Sequence, residues 1–83
     1  MVDVTLSAHA RDMLKEREIP EEWVMLAINS ADKSEKGAVD NNWHYIKSIP
    51  EREDRILRVV VNQEVSPYRV VTVFFDRRLR RRK

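Results

Sequence analysis

Two histidines, a strand-centre arginine and a run of arginines at the C-terminus are the residues of this sequence most able to do chemistry. His44 stands between Trp43 and Tyr45 at the start of an alternating run. Arg58 is the one charge within the apolar run 56–61. On neighbouring strands, a histidine can move a proton while an arginine steadies charge developing on a phosphoryl group. The more ordinary roles are a solvated strand histidine and a structural ion pair of Arg58 with Glu64 or Asp76. His9 falls in the first turn of a helical segment, where it is either a general base or hydrogen-bond donor or a half-buried capping residue. Two histidines without cysteine or a carboxylate pattern make a poor metal site, and nothing in the sequence calls for a cofactor.

The last seven residues hold six positive charges: Arg77, Arg78, Arg80, Arg81, Arg82 and Lys83. Guanidinium groups are planar forks of donors that stay charged at any cellular pH and match phosphate oxygens. This tail is the candidate RNA-binding element, against the plainer readings of a solubilising end or a docking strip for an acidic protein segment. Of the 16 basic residues, ten lie outside the tail against 14 acidic ones, so the body is at about −4. Trp43, Tyr45 and Tyr68 could stack on bases, although aromatic residues of a small sheet are more often core. The charged run 51–55 reads as a solvated turn without catalytic carboxylates.

The elements that must position these groups follow from periodicity. Val2, Val4 and Leu6 alternate with polar residues as a short extended start. Ser7 suits an N-cap ahead of a helix over 8–18, whose inner face is Ala10, Met13 and Leu14. Pro20 starts a second helix, with Glu21 and Glu22 at its positive end and Trp23, Leu26 and Ala27 as its apolar face, Val24 and Ile28 beside them. Residues 31–42 are polar and read as loop with a little strand. Residues 43–49, 56–62 and 68–76 read as strands joined by turns at 50–54 and 63–67. Short connections favour an antiparallel meander.

The expected fold is therefore α+β: two N-terminal helices packed on one face of a three-stranded antiparallel sheet, over residues 1–76, followed by the basic tail 77–83. The face carrying Arg58 is left for a ligand or partner. At 83 residues the core is thin, which suits a chain that gains from a partner, a second copy included. No stretch is apolar for long enough to span a bilayer and the N-terminus lacks a signal peptide's pattern, so the expectation is a cytoplasmic protein with no membrane partner.

The string from His9 to Ile19 (HARDMLKEREI) resembles the HA..RM.ERGI opening of a widespread prokaryotic family of unknown function. The second helix and the strands LRVVV and VVTVFF extend that resemblance over nearly the whole chain, with Glu18 standing where the family often has glycine. The layout also resembles the RelE/ParE toxin superfamily, notably its BrnT-like branch. That resemblance implies a metal-independent mRNA-cleaving toxin held by an acidic antitoxin, with site residues on the open sheet face and the C-terminal segment. On this chain those positions are His44, Arg58, Arg77 and Arg78. The alternative reading is a non-enzymatic module for protein interaction or homodimerisation through the sheet.

Overall fold

A computed structural model of the chain describes residues 4–37 and 41–77. Its elements are β1 (Val4–Leu6), α1 (Ala8–Glu16), α2 (Glu21–Asn29), β2 (Lys33–Lys36), β3 (Trp43–Ile49), a 3-10 turn (Pro50–Arg52), β4 (Arg55–Asn62) and β5 (Tyr68–Phe75). They build one sheet in the order β1-β5-β4-β3-β2.

The α+β class holds, but the sheet has five strands and is mixed, which corrects the three-stranded antiparallel expectation. The three strands read from the sequence form its centre, as an antiparallel meander. The short start pairs parallel with β5, Val4 opposite Tyr68 and Leu6 opposite Val70. The polar segment supplies an antiparallel edge, with Lys33 opposite Ile46 and Lys36 opposite Trp43. Both added strands are edges. A three-residue strand shows too little alternation to identify its partner, and the Lys-Ser-Glu-Lys of β2 is polar because an outer edge faces water on most sides.

Alternation assigns the two faces of the sheet. Leu57, Val59 and Val61 of β4, with Ile49, Val70 and Val73, form the core with the helices' Ala10, Leu14, Val24, Ala27 and Ile28. Helix α1 lies over β5, and α2 over β3 and β4. The buried stripe of α2 is Val24, Ala27 and Ile28, while Leu26 points outward, because the helix is rolled relative to the Trp23–Leu26–Ala27 face expected from sequence.

Ser7 fixes the start of α1 as expected. Its hydroxyl oxygen accepts from the Ala10 amide at 3.0 Å and donates to the Val71 carbonyl at 2.9 Å. Val71 is the extra residue of a β-bulge, since Val60 faces Thr72 whereas Val61 faces Val70. The end of α1 is a Schellman turn. The Ile19 amide donates to the Leu14 carbonyl at 2.8 Å and the Glu18 amide to the Lys15 carbonyl at 3.4 Å. Leu14 and Ile19 are both buried, supplying the apolar contact that accompanies such a turn. Glu18 takes the left-handed position that glycine usually fills, with φ of 54°.

Candidate functional site: an arginine groove at the end of the sheet

The Schellman turn of α1 leaves Arg17 exposed at one end of the sheet and turns the Glu18 carbonyl toward the β3–β4 connection. That connection repeats the same hydrogen-bond pair: the Asp54 amide donates to the Ile49 carbonyl at 3.0 Å and the Glu53 amide to the Pro50 carbonyl at 3.1 Å. Glu53 and Asp54 both take φ of 60°, so the chain reverses sharply between Arg52 and Arg55. Arg52 donates to the Glu18 carbonyl at 2.6 Å, which ties the two turns together. Its guanidinium also lies 5.3 Å from the centre of the Trp23 ring and 6.0 Å from that of Phe75, within cation–π range. Arg77 follows at the end of β5.

Arg17, Arg52, Arg55 and Arg77 thereby converge on an open cavity of about 340 Å³, whose remaining lining is Ile56, Phe75 and Asp76. Asp76 is its one carboxylate, and that charge is already matched. Arg58 Nε donates to Asp76 Oδ2 at 2.9 Å, with both residues buried. The groove is strongly positive, while acidic residues dominate the rest of the body.

Behind Asp76, on the sheet face away from the helices, the register gathers the other sequence candidates. Arg58 sits opposite Ile46, and His44 opposite Glu35. Arg58 Nη1 lies 2.9 Å from His44 Nδ1 and 3.5 Å from Glu35 Oε1, and Lys33 Nζ lies 3.8 Å from Glu35 Oε2. A guanidinium only donates, so His44 accepts through Nδ1 and carries its proton on Nε2. The structure thus joins His44 and Arg58 directly. Arg58 is nonetheless committed to two carboxylates, the arrangement of a structural ion-pair network. Of the two partners weighed from sequence, Asp76 takes it.

The remaining candidates are dispersed. His9 is exposed on α1. Arg78, Arg80, Arg81, Arg82 and Lys83 lie outside the described residues. Tyr45 and Tyr68 pack on the helix side against the core. Burial first, and then Tyr68, raise the Tyr45 hydroxyl above its ordinary 10.0, while the hydrogen bond from Gln63 works the other way. Among the described residues, no group of three or more His, Cys, Asp or Glu side chains could hold a metal ion, and no helix is long and apolar enough to cross a membrane.

Arg17, Arg52 and Arg55 are the groove residues that the sequence reading missed. Arg52 and Arg55 stand in a run of mixed charge that reads as a solvated turn, and Arg17 lies among the charged residues near the end of the first helix. Only the two reversals bring them beside Arg77. Fold and groove together define a small α+β protein with four arginines gathered at one end of its sheet. The chain belongs to the family of a domain of unknown function (DUF4258), which matches residues 6–75. Comparison with curated proteins and with solved structures gives no match.

Proposed function

We propose that the protein binds RNA by its phosphates, through the groove of Arg17, Arg52, Arg55 and Arg77 and onward along the arginine tail. The convergence of four guanidinium groups where β5 leads into that tail is the observation that carries this reading. The exposed Arg17, Arg55 and Arg77 can present paired donors to phosphate oxygens, and the proximity of all four cations raises the local potential beyond what isolated surface charges supply. The resemblance of the sequence to the RelE/ParE toxin superfamily is in keeping with such a ligand, although the three-stranded sheet expected with it is not what forms. In that context the partner would be an acidic antitoxin-like protein competing for the same cations.

If the protein also cleaves RNA, His44 is the acid–base candidate and Arg58 its positioning residue. Arg58 holds the imidazole in one tautomer but spends its own charge on Asp76 and Glu35. Phosphate binding therefore falls to the groove, which revises the expected role of Arg58 as a phosphate ligand.

The test is binding of a labelled RNA oligonucleotide across a salt series, for the full chain, an Arg17→Gln/Arg55→Gln variant and a chain ending at Asp76. The expected result is salt-dependent binding, with a slope that falls by roughly 0.7 for each lost phosphate contact on a single strand. Absence of binding at low salt would overturn the reading and leave an acidic protein segment as the occupant of the groove. Cleavage in EDTA that disappears with His44→Ala would extend the function from binding to metal-independent RNA cleavage.

A further inference from the structure

The four groove arginines are not equivalent. Arg17, Arg55 and Arg77 are exposed, whereas Arg52 is half-buried and held on three sides, by the Glu18 carbonyl, the Trp23 ring and the Phe75 ring. A guanidinium fixed in that way does not swing to follow a phosphate. It lines the cavity together with Phe75, so a cationic group and an aromatic ring stand side by side there. Flat cations and aromatic rings are what unstacked bases lie on in single-stranded nucleic acids, whereas a duplex keeps its bases stacked on one another. The rest of the lining agrees, because Ile56 and Phe75 give the groove an apolar wall that a bare phosphate or sulfate would not use. At about 340 Å³ the cavity is at the small end of ligand sites, which run from roughly 300 to 1,000 Å³. It suits a single nucleotide unit and not the width of a helix.

We infer that the groove takes one nucleotide of a single-stranded RNA, its base laid against Arg52 and Phe75, with Trp23 behind Arg52, and its flanking phosphates on Arg17, Arg55 and Arg77. This rests on the RNA-binding reading and adds to it a strand preference and a division of labour. Three arginines supply affinity that salt screens. The fourth supplies a stacking surface that salt leaves largely intact.

Arg52→Lys separates the two roles, since it keeps the charge and removes the plane. Anisotropy titrations would compare a single-stranded RNA with a duplex of the same sequence, for the wild type, Arg52→Lys and Arg17→Gln. The wild type should prefer the single strand by about tenfold, the size expected of one stacked base. Arg52→Lys should remove most of that preference with the salt slope unchanged, and Arg17→Gln should weaken both ligands and lower the slope. A Trp43→Phe background leaves Trp23 as the one tryptophan, whose emission should change on adding single strand and not on adding duplex. Melting temperatures of each variant guard against misreading a folding defect, and the Trp23 signal requires no change to the groove.

Equal affinity for single strand and duplex, with no Trp23 response, would overturn the inference while leaving phosphate binding in place. Unchanged single-strand preference in a folded Arg52→Lys protein would do the same. Failure of both RNAs to bind at low salt would overturn the RNA-binding reading and the inference together.

Discussion

Arg58 and Asp76, 18 residues apart in sequence, meet through a hydrogen-bonded ion pair of 2.9 Å in which the Asp76 side chain is 2 % exposed and that of Arg58 10 %. The pair joins the sheet face that carries His44 and Glu35 to the wall of the arginine groove. Arg58 thereby offsets the one carboxylate that lines the arginine groove. The pair therefore tunes the site as well as holding β4 to the end of β5.

Breaking the pair from one side should be costly. Arg58→Met leaves a buried carboxylate without its guanidinium and should destabilise the fold by about 3–5 kcal/mol. The double variant Arg58→Met/Asp76→Leu should recover much of that loss. Urea titrations of both variants check this. A double variant as unstable as the single one would show that the pair does more than compensate charge.

Glu18→Gly should stabilise the protein. The left-handed conformation costs a residue with a Cβ roughly 1–2 kcal/mol, and glycine escapes most of that at some expense in unfolded-chain entropy. A net gain of about 1 kcal/mol is expected, seen as a higher melting temperature. The hydrogen bond from Arg52 to the residue-18 carbonyl uses only backbone and should persist, so RNA affinity should not change.

Ser7→Ala should cost about 1–2 kcal/mol. The Ser7 hydroxyl caps α1 and also donates to the Val71 carbonyl at the bulge, so its removal loosens a helix start and a strand at once. Ser7→Thr, which keeps both the donor and the acceptor, should retain most of the stability. Amide exchange should show the loss spreading to β1 and β5.

Tyr45 gives the fold an alkaline limit. Its hydroxyl titrates above 10.0 in the folded protein, through burial and then Tyr68. The folded state thus holds its proton when the unfolded chain would release it, and stability falls as pH rises. The contribution is complete below the unfolded value near 10 and is lost as pH passes through the higher folded value. Absorbance near 295 nm should show a late-titrating tyrosine, and Tyr45→Phe should flatten the alkaline decline in stability.

Much of the frame was legible from local patterns. Ser7, the α1 stripe of Ala10 and Leu14, and the three central strands follow from capping and periodicity. What escaped was non-local. β1 owes its existence to β5, whose Tyr68 lies 64 residues after Val4, and β2 is recruited by the edge of β3 despite a sequence that shows no buried face. The site divides along the same line. The Arg58 ion pair could be anticipated because a lone charge in an apolar strand needs a partner. The groove could not, because Arg17 and Arg52 are brought together by two turns with residues at positive φ, and none of those residues is glycine. The α2 stripe of Val24, Ala27 and Ile28 lies within the apolar face read from periodicity, and the sheet beneath decides its centre, leaving Leu26 outside it.

The parallel pairing of β1 with β5 also orders events along the chain. The strand that starts the described fold cannot dock until the strand that ends it has been made, and α1 rests on that same late strand. During synthesis the first helix must therefore wait, exposed, until β5 has been made, and the arginine groove closes around Arg77 in the same step that completes the sheet. Assembly of the groove and completion of the fold are a single event.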